Sequence, residues 1–405
     1  MKTYDVIIVG GGAAGFFTAI TLAEKAPKKN ILIIERGKEV LTKVRISGGG
    51  RCNVTHDCPD PKVLTSYYPR GSRELLGPFM QFNTRHTIDW FTQKGVVLKT
   101  EADGRMFPVT DSSQTIIDCF MKEVEKHRIQ VNTAESVQRF YRSETDWRVE
   151  TIRDTYRATA VVIATGSNPK MWDILKALGH TIVPPVPSLF TFNCKDARIS
   201  GLMGVSVPLA TVKVLESKLT AQGPLLVTHW GFSGPAILRL SAWGALALAE
   251  KNYQFKISIH WLGSLTEMQV LDQLLSVKQK HPTKLAFNRV DFDMPSRLWT
   301  ALVHASGIGE QQKWADVSKK QLQKLALELT QGVYHIQGKS TFKEEFVTAG
   351  GISLKELNFK TMESKLLPQM YFAGEVINID AITGGFNFQN AWTGSWLISE
   401  ALSLQ

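Results

Sequence analysis

The sequence predicts an α/β protein whose N-terminal part contains a parallel β-sheet. Residues 4–9, YDVIIV, form a short apolar run typical of a buried strand, and residues 13–26 then change to the apolar spacing of a helix. A second apolar run follows at residues 31–35, ILIIE. The first 35 residues therefore form a complete β-α-β unit with parallel strands and a right-handed crossover.

Three glycines occupy the turn between the first strand and the helix. Gly10, Gly12 and Gly15 match the pattern G-x-G-x-x-G. The first permits a tight turn, the second lets the backbone approach a pyrophosphate, and the third lets helix and strand pack closely. Glu35 follows Gly15 by 20 residues, where a carboxylate accepts hydrogen bonds from ribose hydroxyls. This context predicts a Rossmann-type dinucleotide-binding fold and leaves FAD and NAD open.

The predicted secondary structure of the middle of the chain differs from that of its two ends. A buried strand at residues 157–166 continues the dinucleotide domain, and three prolines between 184 and 187 break the pattern and predict a junction near residue 190. Short strands dominate from 190 to 262, helical spacing dominates from 264 to 332, and a strand, a glycine turn and a helix return from 371. We therefore predict four segments: 1–190 (cofactor domain, first part), 191–263 (inserted β-rich unit), 264–335 (inserted helical unit) and 336–405 (return to the cofactor domain).

Composition excludes several other classes. No apolar stretch reaches the roughly 18 to 20 residues that cross a bilayer, and the N-terminal apolar run has neither a basic leader nor a cleavage site. The four cysteines form no CxxC pair, so neither a disulfide framework nor a zinc site is expected. We expect no metal, no membrane association and a cytoplasmic location. The sequence leaves the oligomeric state open.

The chain has a formal net charge of +10, which favours polyanionic partners. Between Arg36 and Lys99, 11 Lys and Arg residues stand against 5 Asp and Glu residues. A solvated surface with a cofactor pyrophosphate site and a nucleic-acid surface both explain this local excess.

Several segments, taken together and in order along the chain, closely resemble the BaiN-like (YhiN-like) flavoprotein family. They are KVRISGGGRCN at 43–53, ATG at 164–166, THWGFSGPAIL at 228–238, TAGGI at 348–352 and YFAGEVINIDAITGGFNFQNAWTGS at 371–395. The resemblance implies a two-dinucleotide-fold FAD domain, interrupted by an insert with a β-barrel-like part and a helical part, and it implies bound FAD. No second G-x-G-x-x-G follows a strand, so NADH or NADPH is expected to dock transiently as the reductant.

The candidate FAD-binding residues combine the glycine turn, the family segments and neighbouring positions. Ser47 to Gly50 form a flexible loop that suits an isoalloxazine edge, with donors on Arg51 and Asn53 and a thiol on Cys52. The amides after Gly385 begin a helix and can stabilise negative charge on a reduced flavin. By resemblance, Glu375 brings a carboxylate to the ribityl chain. The full set is Gly10, Gly12, Ala13, Ala14, Gly15, Glu35, Arg36, Lys43, Ser47, Gly48, Gly49, Arg51, Cys52, Asn53, Val137, Ala164, Thr165, Gly166, Gly374, Glu375, Gly385, Phe386 and Asn387.

The sequence assigns no catalytic residue. Arg51 or His229 could act as an acid or base, although a lone histidine more often has a structural role. Cys52 could protonate a substrate carbon, although a small buried cysteine is the commoner role.

The sequence is compatible with three functions. The first is an FAD-dependent oxidoreductase that passes hydride to an electron-poor double bond, and the basic excess points to a uracil of ribosomal RNA and hence to dihydrouridine synthesis. Within the same class, the resemblance also allows a small-molecule reductase or oxidase, of the bile-acid-intermediate or aminoacetone type. The third is a non-catalytic scaffold in which FAD only stabilises the fold.

Overall fold

The computed structural model describes residues 1–263, 265–289, 291–340 and 347–405. The chain divides into two compact units. The larger unit comprises Met1–Val186 and Lys343–Gln405, and the smaller comprises Pro187–Phe342. None of the helices in the described ranges is long and apolar enough to cross a membrane.

The helices and strands are numbered in chain order. The helices are α1 (Ala13–Lys25), α2 (Thr42–Gly50), α3 (Pro61–Thr65), α4 (Leu76–Gln81), α5 (Thr84–Gln93), α6 (Gln114–Lys126), α7 (Pro169–Ala177), α8 (Pro235–Trp243), α9 (Ala245–Glu250), α10 (Glu267–Lys280), α11 (Ser296–Ala305), α12 (Lys319–Gln331) and α13 (Phe386–Ser403). The strands are β1 (Lys2–Val9), β2 (Ile31–Ile34), β3 (Thr55–His56), β4 (Leu98–Thr100), β5 (Arg105–Pro108), β6 (Gln130–Asn132), β7 (Val137–Arg142), β8 (Trp147–Thr151), β9 (Thr155–Ile163), β10 (Ile182–Ser188), β11 (Thr191–Asn193), β12 (Ser206–Val214), β13 (Thr220–Val227), β14 (Gly231–Ser233), β15 (Gln254–His260), β16 (Gly332–Gln337), β17 (Lys339–Ser340), β18 (Val347–Ile352), β19 (Leu357–Asn358), β20 (Glu363–Ser364) and β21 (Met370–Phe372).

The larger unit is built on a nine-stranded sheet. Strands β21, β9, β1, β2 and β6 lie side by side and parallel, with β1 near the middle. The ILII run of β2 is buried at every position, as expected for a strand covered on both faces. This arrangement confirms the predicted Rossmann-type α/β class, and it places the C-terminal β21 in the same sheet as the N-terminal β1.

Helices α1 and α13 pack against each other through small polar side chains. The Thr21 and Ser399 hydroxyls are 2.6 Å apart, and the Ser395 hydroxyl donates to the Ala14 carbonyl at 2.9 Å. All three of these hydroxyl-bearing side chains are buried. Small residues allow the two helices to approach closely, and the internal hydrogen bonds offset the cost of burying the hydroxyls.

The three prolines predicted to break the pattern lie in a strand. Residues 184, 185 and 187 belong to β10, which pairs with β18 in a two-stranded sheet. A sheet of two strands has only edges, so the missing proline amides cost little pairing. A Cβ at Gly350 would lie 2.7 Å from the Pro184 carbonyl oxygen, which explains a glycine on the partner strand. The two compact units divide between Val186 and Pro187, next to these prolines and four residues before the predicted junction near residue 190.

The smaller unit has a seven-stranded sheet in the order β16, β15, β12, β13, β14, β11 and β17. Strand β11 also lies beside β16, so the sheet curves towards a barrel. Side chains of its strands, such as Val212 and Ile257, share one hydrophobic core with helical residues such as Leu274 and Trp299. The β-rich part and the helical part thus form one compact unit.

We predict that Ser399→Leu destabilises the larger unit. The added methylene groups have no space between α1 and α13, and overpacking of this kind costs about 1–3 kcal/mol. Thermal unfolding measures the effect, at roughly 2–4 °C per kcal/mol for a unit of this size. Ser403→Leu, the same change at a half-exposed position in the last turn of α13, is the matched control. Equal melting temperatures for the two variants would contradict the close packing of the helices.

Candidate FAD site

The glycine turn between β1 and α1 has three different steric environments. A Cβ at Gly10 would lie 2.3 Å from the Ala164 carbonyl oxygen, and a Cβ at Gly15 would lie 2.0 Å from the Gly10 carbonyl oxygen. A Cβ at Gly12 would meet no atom within 4 Å. The first and third glycines are therefore required by the protein's own packing. Gly12 is not, which fits a position where bare backbone approaches a ligand.

The Glu35 carboxylate is held by backbone amides. One oxygen accepts a hydrogen bond from the Gly11 amide at 2.7 Å, and the other accepts one from the Gly37 amide at 2.6 Å. A carboxylate offers about four acceptor positions, so these two bonds fix its orientation and leave further positions for donors. This geometry suits a pair of ribose hydroxyls.

A cavity of about 380 Å³ lies beside this carboxylate. It brings together five predicted residues, Gly10, Glu35, Arg36, Val137 and Thr165. The Thr165 hydroxyl and the Asn168 amide oxygen, which both belong to cavity-lining residues, are buried and have no hydrogen-bond partner among the described residues. Buried polar groups without partners are costly, so this cavity fits a ligand with polar groups such as an adenosine.

Sequence reasoning missed several residues of this cavity. They are Glu135, Ser136, Asn168, Lys170, Met171 and Ile174. Glu135 is buried, and its carboxylate accepts hydrogen bonds from the Thr151 hydroxyl at 2.6 Å and the Tyr156 hydroxyl at 2.9 Å. Its backbone amide donates to the Glu35 carbonyl at 2.9 Å. The only sequence signal was position, because these residues directly precede Val137 or follow the ATG segment.

The glycine-rich segment at 47–50 is an ordered turn. Ser47 leaves the helical conformation of α2, and Gly48 and Gly49 follow in the left-handed region with φ of 59° and 69°. The Cys52 amide donates to the Ser47 carbonyl at 2.9 Å, and the Ser113 amide donates to the Gly50 carbonyl at 2.8 Å. The first of these hydrogen bonds closes the turn, and the second joins it to the residue before α6.

Arg51 and Cys52 have structural surroundings. The Arg51 guanidinium pairs with Glu101 at 2.7 Å and lies over the Phe107 ring, with 3.9 Å to the ring centroid. Cys52 is fully buried, and burial raises the pKa of its thiol to about 12. A thiol with so high a pKa is a weak acid, which argues against Cys52 as the proton donor.

The turn at 47–53 meets the start of α13. With its amide oriented so that donors meet acceptors, Asn53 accepts a hydrogen bond from the Gly385 amide at 2.9 Å and donates to the Thr55 carbonyl at 3.0 Å. Gly385 has a φ of 87°, and a Cβ there would lie 2.5 Å from the Thr55 oxygen. No side chain among the described residues caps α13, so the first amides of this 18-residue helix favour a negatively charged ligand group.

Glu375 joins the remaining predicted residues. Its carboxylate accepts hydrogen bonds from the Lys43 ammonium at 2.6 Å and the Thr348 amide at 3.1 Å. A Cβ at Gly166 would lie 3.7 Å from the same carboxylate, and a Cβ at Gly374 would lie 3.3 Å from the Ala14 Cβ. The N-terminal turn and the C-terminal segment therefore converge within the larger unit. Asn387 stays local, because its side chain bonds the Ala381 backbone at 3.0 and 3.2 Å.

His229 lies in the smaller unit. Its imidazole is exposed and packs edge-on against the Trp230 ring, at 4.0 Å between centroids. A role for His229 in acid-base catalysis stays a prediction.

The larger unit combines a parallel sheet, a glycine turn after β1, a positioned carboxylate after β2 and a returning C-terminal helix. This arrangement is typical of a dinucleotide-binding Rossmann-type fold. The model of the HI0933-like protein Rossmann domain matches residues 4–401. The chain therefore belongs to the HI0933-like family of FAD-dependent oxidoreductases.

The similar proteins include full-length relatives. The chain is 30% identical to the ribosomal RNA dihydrouridine synthase of Escherichia coli over 99% of this chain and 98% of the relative. It is 24% identical to the 3-dehydro-bile acid delta(4,6)-reductase of Clostridium scindens over 97% of this chain and 98% of the relative. The 3-ketosteroid-delta4-(5alpha)-dehydrogenase of Rhodococcus jostii shares the fold, with a TM-score of 0.52, 14% identity and coverage of 99% of this chain and 97% of that one.

We predict that Gly12→Val weakens FAD binding without unfolding the protein. The side chain enters space free of protein atoms and blocks the approach of the pyrophosphate. The loss of one charge-assisted hydrogen bond, about 1.5–3 kcal/mol, corresponds to roughly 10- to 150-fold weaker binding. Flavin fluorescence titration of the apoprotein measures this, with unfolding of the apoprotein as the control. Gly15→Val is the contrasting variant, because its clash with Gly10 disrupts folding itself. Wild-type affinity in Gly12→Val would contradict the assigned turn.

We also predict that Cys52 in the native protein resists alkylation by iodoacetamide at pH 8. With a pKa of about 12, roughly 1 thiol in 10,000 is ionised at that pH, and the reactive thiolate becomes more abundant only as pH rises. Peptide mass spectrometry after labelling reports the modified fraction, and labelling in guanidinium chloride is the positive control. Rapid native modification of Cys52 would identify an activated thiolate instead.

Proposed function

We propose that this flavoenzyme reduces the C5–C6 double bond of a uracil in ribosomal RNA, with NADH or NADPH as the hydride donor. The observation that carries the proposal is the 30% identity to a ribosomal RNA dihydrouridine synthase over 99% of this chain. Ribosomal RNA is made and modified in the cytoplasm of bacteria, and the four cysteines are free thiols, so we also propose a cytoplasmic location.

The residues of the larger unit fit FAD. We assign the pyrophosphate to the backbone at Gly12 and the ribose of the adenosine to the Glu35 carboxylate. The 380 Å³ cavity near Val137 would hold the adenine, and the Thr165 hydroxyl and the Asn168 amide oxygen there would offer it polar atoms that have no partner among the described residues. Glu375 is assigned to the ribityl chain, with Lys43 and the Thr348 amide fixing its carboxylate.

The chemistry that bound FAD supplies is the acceptance of a hydride from NAD(P)H and its delivery to an electron-poor carbon. The chain contributes orientation and electrostatics. The start of α13 presents amides that stabilise negative charge at the pyrimidine end of a reduced flavin, and the bond between Asn53 and Gly385 fixes that helix start. In the overall reaction, the uracil gains hydride at C6 and a solvent-derived proton at C5, while NAD(P)H is oxidised to NAD(P)⁺.

The 24% identity to a bile-acid reductase favours a second candidate, a reductase of small conjugated ketones. Both reactions deliver hydride to a double bond conjugated with a carbonyl group. They differ in the partner, because an RNA substrate needs phosphate contacts and an unstacked base, whereas a small ketone needs an enclosed apolar pocket.

The purified holoenzyme provides the test. Incubation without oxygen with NADH or NADPH and ribosomal RNA from a strain lacking the gene is expected to produce dihydrouridine, quantified by nucleoside mass spectrometry. A reaction without NAD(P)H is the control and is expected to yield none above background, and the Gly12→Val variant is expected to yield less than the wild type. If NAD(P)H reduces the flavin but no dihydrouridine forms, the RNA assignment is wrong. Turnover of a conjugated steroid ketone under the same conditions would then support the second candidate.

A further inference from the structure

The local basic excess of the N-terminal region is largely neutralised in the folded protein. Of the 11 Lys and Arg residues between positions 36 and 99, five form ion pairs with carboxylates. All of these carboxylates lie outside that segment, and the basic members are Lys43, Arg51, Arg70, Lys94 and Lys99. A paired cation attracts a distant phosphate only weakly, so this segment is a poor candidate for a polyanion-binding surface.

The excess positive charge of the chain resides mainly in the smaller unit. Residues 187–342 contain 17 Lys and Arg against 10 Asp and Glu, a surplus of 7 out of the whole-chain surplus of 10. Within the described part of this unit, Arg198 is the one basic side chain that pairs with carboxylates, those of Asp196 and Glu328. The positive charge of this unit is therefore available to a partner.

One face of the curved sheet carries exposed basic side chains. Strands β12, β13, β15 and β16 alternate buried apolar and outward-facing residues. The inward side chains, among them Val212 and Tyr334, belong to the core. The outward side chains include the exposed Lys213, Lys256 and His335. These four strands contain no Asp or Glu.

The strand register places the outward basic residues close together. Lys213 on β12 lies opposite Ser258 on β15, and Lys256 on β15 lies opposite His335 on β16. Because opposed residues of an antiparallel pair share a face, Lys213 and Lys256 are diagonal neighbours, roughly 7–8 Å apart. Successive phosphates along one RNA strand are spaced by a comparable distance. Small hydroxyl side chains such as Ser258 and Thr220 flank the lysines and can also bond phosphate oxygens.

We propose that this outward face of β12, β13, β15 and β16 binds the phosphate backbone of RNA. The inference rests on the proposed function, since it identifies the surface that holds the RNA substrate. Charge complementarity determines the occupant, because the face carries cations and hydroxyl groups, has no carboxylates on its strands and carries no large exposed aromatic ring. Recognition here is of the backbone and not of base sequence.

The test compares two double variants by fluorescence anisotropy with a labelled 30-nucleotide hairpin RNA bearing a uridine loop. Lys213→Gln with Lys256→Gln removes two charges from the proposed face. Lys62→Gln with Arg85→Gln removes two exposed charges from the 36–99 region and is the matched control. Each lysine on a phosphate contributes about 0.7–0.9 to the slope of log affinity against log salt. The first variant is therefore expected to lose about 1.4–1.8 of that slope and at least about 10-fold in affinity at low salt. The control variant is expected to keep both.

Flavin reduction by NAD(P)H and the melting temperature are expected to match the wild type in both variants, which separates RNA binding from folding and cofactor chemistry. If the Lys213→Gln, Lys256→Gln variant binds RNA as tightly as the wild type, this face is not the RNA-binding surface, although the proposed function can still be correct. Loss of binding in the control variant also overturns the surface assignment. If the Lys213→Gln, Lys256→Gln variant loses binding to intact ribosomal particles but keeps binding to the hairpin, the face contacts a protein and the proposal is wrong. If the wild-type protein shows no salt-dependent binding of RNA, the proposed function is wrong and so is the assigned surface.

Discussion

The close approach of the β1–α1 turn to the end of β9 is the constraint on which the rest of the larger unit depends. The Gly10 Cα faces the Ala164 carbonyl at a distance that no side chain allows, and Gly15 lies equally close to Gly10. These contacts point the start of α1 at the carboxyl edge of the sheet, which is where ligands bind in parallel α/β folds. They also bring the ATG segment at 164–166 beside the turn. The close contact between Gly10 and Ala164 therefore positions two parts of the candidate cofactor site.

The C-terminal segment completes the site from the other end of the chain. Strand β21 adds to β9 in the same sheet, and α13 packs along α1 through hydroxyl contacts such as that between Thr21 and Ser399. Glu375 and Gly385 are thereby placed against residues more than 300 positions earlier, Lys43 and Asn53. A site assembled in this way depends on the whole larger unit, so packing changes far from the cofactor affect its binding.

Local sequence patterns predicted those helices and strands whose formation depends mainly on burial of apolar residues or on backbone conformation. The apolar runs of β1 and β2 and the glycines between them report burial and backbone geometry that neighbouring residues alone determine. Pairings across long sequence distances could not be predicted, because the bond between Asn53 and Gly385 and the buried Glu135 network depend on which elements become neighbours. Strand β10 could not be predicted for a related reason: a proline disfavours an inner strand but not an edge, and local sequence does not reveal which strand is an edge.

The same reasoning explains the revised view of the charge. Counting charges along residues 36–99 ignores carboxylates such as Glu375 and Asp380, which the fold brings to that segment. The alternation along β12 and β15 instead exposes lysines on strands that contain no Asp or Glu. The proposed function depends above all on bound FAD. The most direct measurement is the visible absorption spectrum of the purified protein, with chromatographic identification of the released flavin. We expect an oxidised flavin spectrum and about one FAD per chain. A colourless protein that gains no flavin spectrum on addition of FAD would contradict the account.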